Sequence, residues 1–184
     1  MSLVLPGIVI RSEAPGDGPT IRSLTDAAFA PSTVEGRIVD ALREDSVAWI
    51  PDLSIVAADD VDGGRIVGHC VTTIGSFHAR DDDADVSPIL ALGPISVAPE
   101  RQGEGIGTAL IHETIDRATA AGWPVIVLLG HATYYPRFGF ESARGIGIEP
   151  PEPWSDEHWM ALRLPAWTAG QKGTMSYPAA FDID

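Results

Sequence analysis

The segment Leu90-Ala-Leu-Gly-Pro-Ile-Ser-Val-Ala-Pro-Glu-Arg-Gln-Gly-Glu-Gly-Ile-Gly-Thr108 begins as a strand, turns through three glycines and enters a helix. Leu90 to Val97 is strand-like, yet Pro94 lies inside it. Proline cannot donate to a ladder, so the strand is expected to bulge or lose a neighbour there. From about Gly105 to Ala121 the residues Ile106, Leu110, Ile111, Ile115 and Ala118 recur as a helical stripe, with His112, Glu113, Asp116 and Arg117 outward. Gly122 is a natural stop for that helix. Pro124 to Leu129 is a continuous apolar run, as in a strand buried on both faces. Residues 90–129 therefore read as one βαβ unit with a right-handed crossover, and the chain as an α/β protein.

The turn Arg101-Gln-Gly-Glu-Gly-Ile-Gly-Thr108 suits an anion. Glycines at alternate positions let the backbone come close to a ligand, and amides at a helix start favour negative charge. A Walker loop would need Gly-Lys-Ser/Thr, and no lysine is present here. The dinucleotide fingerprint would need glycine at position 108, which is threonine, in the first βα turn of a longer alternating series. The glycines could also serve only as flexibility at a helix start.

Working outward, Gly7 to Glu13 reads as an edge strand with Ile8 and Ile10 on one face. Ile21, Leu24, Ala28 and Phe29 stripe a first helix. A second helix is expected from Ser32, as N-cap, to Glu44, with Val34, Ile38, Val39 and Leu42 inward. Leu53–Ala58 and Arg65–Phe77 read as a hairpin across an Asp/Gly-rich turn. The loop Arg80-Asp-Asp-Asp-Ala-Asp85 has aspartates at calcium-loop spacing but Val86 and Leu92 where Gly and Glu are needed, so it reads as a solvated loop and no metal is expected. Beyond the βαβ unit come a short helix near Ala132–Arg137, a strand near Phe140, another over His158–Leu164, and a last one within Thr174–Phe181.

The 184 residues fit one domain, long enough to bury roughly 70% of the unfolded surface. Twelve basic against 26 acidic side chains give a net charge of −14. That balance argues against nucleic acid and anionic lipid as partners. No run approaches the ~20 apolar residues of a membrane span. The apolar start, broken by Pro6-Gly7 and lacking a basic leader, reads as lead-in plus strand rather than signal peptide. One cysteine, Cys70, excludes an internal disulfide and points to a cytoplasmic setting.

Gln102-Gly-Glu-Gly-Ile-Gly107 has the spacing Q-x-x-G-x-G, which resembles the acyl-CoA signature of the GNAT superfamily of N-acetyltransferases. Leu92 to Gln102 resembles that family's fourth strand and the turn into its pyrophosphate helix. Leu129-Gly-His-Ala-Thr-Tyr-Tyr-Pro-Arg-Phe-Gly-Phe140 resembles its Tyr-x-x-x-Gly-Phe segment, in a form close to one bacterial branch of acetyltransferases; Gly173 to Phe181 is similar to the tail of that branch. The resemblance implies a single GNAT domain over 1–184, with a core of about 7–165 and a C-terminal extension of about 166–184. It implies a mixed, twisted sheet of six or seven strands flanked by helices, with acetyl-CoA as co-substrate. Homodimers are common in the family and are the expectation here.

The resemblance also implies the site. Pantetheine would pair with the backbone of Ile95, Ser96 and Val97 where the fourth and fifth strands part, with Pro94 as the local reason. The pyrophosphate would sit on the amides of Gln102, Gly103, Glu104, Gly105, Ile106, Gly107 and Thr108, with Arg101 nearby. The N–H of Ile95 would polarise the thioester carbonyl. An amine attacks directly, so no nucleophilic side chain is needed. Tyr135, four residues before Gly139, matches the family's proton donor to the departing thiolate; Tyr134 is its neighbour. His131 is the candidate base. Glu35 and Asp40 would border the acceptor site but read as solvated helix residues, and His69 and Cys70 as core. Trp154, Trp159, Trp167 and Tyr177 read mainly as packing; lining the cleft with acids nearby, they would favour a cationic amine. The expected activity is acetyl transfer to a primary amine of a small molecule or peptide. The alternative is an acyl-CoA-binding sensor of the same fold.

Overall fold

The structure, a computed structural model, describes residues 5–80, 86–168, 170 and 172–183. The aspartate loop expected at 80–85 falls almost wholly outside them. The described strands are β1 (Ile8–Ser12), β2 (Ser54–Asp59), β3 (Arg65–Ala79), β4 (Val86–Val97), β5 (Val125–Leu129), β6 (Glu141–Ser142), β7 (Ile148–Glu149), β8 (Trp159–Arg163) and β9 (Gly173–Ser176). The helices are α1 (Gly18–Ala28), α2 (Val34–Glu44) and α3 (Ile106–Ala120).

All nine described strands join one mixed sheet in the order β1-β2-β3-β4-β5-β8-β6. Tail strand β9 pairs with β3 at Ser76–Ala79, on the edge that β2 leaves beyond Val71, and β7 pairs with β9. The sheet thus has more strands than the six or seven expected; β6 is the strand read near Phe140, whereas β7, two residues long, has no readable period.

The helices cover both faces. Residues Ile55 and Ala57 of β2 pack with Ile106, Leu110 and Ile111 of α3, while Val56 between them packs with Ile21, Val39 and Leu42 of α1 and α2. Every residue of β2 is buried, as a strand with two covered faces requires. At the end of α3, Trp123 N–H donates to the Ala118 carbonyl and Gly122 N–H to that of Thr119, both at 3.0 Å, a Schellman stop. The N-cap of α2 is Thr33 rather than Ser32; Ser32 Oγ accepts from Val34 N–H at 3.2 Å and donates to Glu35 at 2.6 Å, so it serves the helix start from one residue upstream. No described helix is long and apolar enough to cross a membrane.

Candidate active site

The site begins with a fault in the sheet. Strand β4 pairs with β3 along its length, but with β5 only at Leu90–Ile126 and Ala91–Val127. Beyond Ala91 the two parallel strands run on without a ladder between them. At the same level the β3–β4 register jumps from Thr72–Leu92 to Cys70–Ile95. Gly93 and Pro94 therefore oppose the single residue Val71, a bulge where the sequence predicts one.

The ladder fixes what β4 offers to the gap. Ala98 N–H donates to the Val67 carbonyl at 2.9 Å, so that pair is hydrogen-bonded, and so, two residues on, is Ser96 with His69. The N–H and C=O groups of Ile95 and Val97 then face away from β3, into the gap. Ser96 has its backbone in the β3 ladder, and its Oγ donates to Thr25 Oγ1 at 3.1 Å.

Two cavities meet over this gap. The first, about 450 Å³, is lined by Ile95, Val97, and Arg101 to Gly103, and by Gly105 to Thr108 at the start of α3. Gly105 is the N-cap, at φ 87°, a left-handed conformation that favours glycine. No side chain caps this helix, and its first hydrogen bond runs from Ala109 N–H to the Gly105 carbonyl. The amides of Ile106, Gly107 and Thr108 are thus left open at the positive end of the helix dipole. Ile106 itself is buried, and Gln102 Nε2 donates to the Val97 carbonyl at 3.2 Å. Glu104 is bound by Arg101 at 2.7 Å, and Arg101 also holds Asp59 at 2.6 Å. The guanidinium of Arg101 is therefore engaged by two carboxylates, while the cation Arg137, which sequence reasoning missed, lies on the cavity wall. Arg137 stacks 4.6 Å from the centre of the Tyr134 ring. The Tyr134 hydroxyl lies 3.1 Å from where a Cβ on Gly107 would stand, over the helix start.

The second cavity, about 810 Å³, is floored by Leu92 to Ile95 on one side of the gap and Leu129 to His131 on the other. Phe29, Trp154, Tyr177 and Phe181 form its aromatic wall, and Glu35, Glu152 and Asp182 add carboxylates. Trp159 stands behind that wall, its Nε1 donating to the Ile148 carbonyl at 2.9 Å. Trp167 packs on the same cluster, with Phe77 and Ile148, but does not line the cavity. Asp40 does not line either cavity; it bridges Arg22 at 2.8 Å and Arg43 at 2.9 Å.

Phe29, Ile95, His131 and Tyr135 line both cavities and mark their junction. His131 is exposed, and its carbonyl accepts from Tyr134 N–H at 3.0 Å. Tyr135 is 7% exposed, edge-on to Tyr134 and Phe140. Burial raises its phenol above the ordinary value, with Cys70 and Tyr134 adding to the shift. Its ring lies on Gly130, where a Cβ would stand 2.2 Å from a ring carbon, so only glycine fits there. Cys70 is buried 3.7 Å from Thr114 Oγ1, and burial pushes its thiol up to about 12. His69 is held down to about 3, chiefly by burial and also by Arg43, and is neutral. No group of three His, Cys, Asp or Glu among the described residues could hold a metal ion.

A mixed sheet parted between two parallel strands, above an uncapped glycine-rich helix start, matches the α/β arrangement that the resemblance to acyl-CoA-dependent transferases implies. A model described as an acetyltransferase (GNAT) domain matches residues 51–142. The chain belongs to the GNAT family of acetyltransferases. The uncharacterized N-acetyltransferase YjhQ of Escherichia coli K12 is 39% identical over 155 residues, 82% of this chain and 81% of the relative. A crystal structure of YhbS from E. coli in complex with CoA has a TM-score of 0.81 at 27% identity, covering 100% of this chain and 96% of the other. A GNAT acetyltransferase of Brucella melitensis in complex with acetyl-CoA has a TM-score of 0.74 at 36% identity, covering 95% and 98%.

Proposed function

We propose that this protein transfers an acetyl group from acetyl-CoA to a primary amine, on a small molecule or peptide, and that the acceptor is cationic. One observation carries the reading: β4 and β5 part after Ala91 and Val127, and the gap opens where two cavities meet. In this reading the pantetheine arm takes the place of the missing ladder and pairs with Ile95 and Val97. The diphosphate rests on the amides from Gly103 to Thr108, beside Arg137. The acetyl carbonyl lies at Ile95, whose N–H supports the oxyanion. The amine enters through the second cavity, loses its proton near His131, and attacks directly. Tyr135, protonated at neutral pH, stands at the junction to protonate the departing thiolate.

The acceptor's charge is argued from the second cavity. Four aromatic rings and three carboxylates favour a cation by ring quadrupole and by Coulomb attraction. The net charge of −14 draws such a substrate and repels CoA, so the helix start and Arg137 offset that repulsion locally.

The test is calorimetric titration with acetyl-CoA, followed by free-CoA release with a panel of primary amines. Binding with release, greater for cationic amines than for neutral ones of equal length, is expected. Binding without release for any amine makes the protein a sensor, and release without preference for charge removes the cationic acceptor.

A further inference from the structure

We propose that His158 is a positioning residue for Tyr135 and acts through Gly130. The inference rests on the reading of Tyr135 as proton donor and goes beyond it. Strands β5 and β8 pair antiparallel from Val125–Arg163 to Leu129–Trp159, so the next rung joins Gly130 and His158. Half of that rung is ordinary: Gly130 N–H donates to the His158 carbonyl at 2.9 Å. The other half is not. The N–H of His158, which would complete the rung, donates instead to the Ser155 carbonyl at 3.1 Å. The imidazole takes its place, with Nδ1 2.9 Å from the Gly130 carbonyl. A carbonyl only accepts, so Nδ1 carries the proton there. A side chain thus closes the last rung of the ladder at the edge of the gap.

That rung matters because of what Gly130 supports. The Tyr135 ring packs on its Cα, too close for any Cβ. The carbonyl of His131, one residue on, holds the Tyr134 N–H at 3.0 Å and faces that of Tyr135 at 3.5 Å. Gly130 and His131 therefore set both the ring plane and the main chain of Tyr135, and both line the acceptor cavity. Releasing the Gly130 carbonyl lets this corner drift, and misplacement by about 1 Å can cost ~10²-fold in rate. His158 touches no reacting atom in this scheme.

The experiment measures acetyl-CoA turnover with 1,5-diaminopentane as acceptor and, in parallel, with water as acceptor. His158→Ala should lower kcat ~10-fold or more, with KM for acetyl-CoA within about two-fold of wild type. His158→Asn, whose amide N–H can stand where Nδ1–H stood, should restore most of the rate. His158→Gln, whose amide reaches the Nε2 position, should not. In a Tyr135→Phe background His158→Ala should cost little, because the group it positions is gone. Wild-type kcat in His158→Ala overturns the proposal. So does equal loss in the Asn and Gln variants, a loss expressed in KM, or an undiminished loss in the Tyr135→Phe background. Should His158→Ala fail to fold, the Asn and Gln pair decides. A silent Tyr135→Phe removes the donor and this proposal with it; a deficient Tyr135→Phe beside a fully active His158→Ala removes the proposal alone.

Discussion

In the proposed reaction Tyr135 concentrates the chemistry of the site in one hydroxyl. Like any tyrosine it is protonated through the physiological range, the state a donor must start from; burial raises its phenol further, so donation depends on its position at the junction beside the gap. Tyr135→Phe is expected to lower turnover ~10²-fold or more with little change in acetyl-CoA affinity, read by steady-state kinetics and calorimetry. Unchanged turnover takes Tyr135 out of the mechanism. At this scale the sequence marks groups by short spacing, and the fold brings them to the gap: Tyr135 before Gly139, the loop glycines, and His131 at the end of a strand. It hides groups whose partner is distant along the chain. His158 meets Gly130 across 28 residues, and nothing local marks it. Arg137 lies inside the quoted aromatic segment, but its place beside the α3 start depends on how that segment folds back. The four C-terminal aromatics pack on one cluster and divide only in three dimensions: Trp154 and Tyr177 form a wall, Trp159 its backing, and Trp167 lies away from the cavity.

Among the elements, the proposed binding of acetyl-CoA turns on the junction of β4 and α3. Both halves are legible, because a proline inside a strand and alternate glycines before an amphipathic stripe act through local backbone chemistry. In the proposed cradle Gly105 matters for two reasons: its φ of 87°, and the open amides that follow it. Gly105→Asp strains that turn and adds a negative charge beside an anion site, so acetyl-CoA binding is expected to fall below calorimetric detection while the fold persists by circular dichroism. Retained affinity contradicts the cradle. Elements are less legible where few residues define them. Strand β7 is held by its pairing with β9 rather than by a period of its own. Ser96 falls in the expected pantetheine stretch, but ladder parity commits its backbone to β3; parity depends on register, which composition does not carry.

For the whole molecule, charge and burial set the response to pH. His69 is fully buried in β3, with Nε2 3.1 Å from Ser54 Oγ and Nδ1 without a partner. Its value is about 3 in the folded state against 6.5 ordinarily, so the unfolded chain binds a proton that the native state refuses. The stability tied to this group is therefore complete above about pH 6.5 and is lost as pH falls toward 3. Urea denaturation between about pH 6.5 and 5 should show a loss of up to ~1.4 kcal/mol per unit, reduced in His69→Gln. A flat profile contradicts a neutral, buried His69. The sequence places His69 in the core, but the network around it, Glu13, Arg43 and Ser54, joins α2, β2, β3 and the residue after β1, and emerges only in the fold. Every step of the proposed reaction depends on the parted sheet, and a crystal structure with acetyl-CoA bound tests it most directly. The diphosphate should lie on the amides between Gly103 and Thr108, with pantetheine along Ile95 and Val97 and the thioester beside Tyr135. Density for the diphosphate elsewhere, or β4 and β5 paired continuously past Ala91, would contradict it.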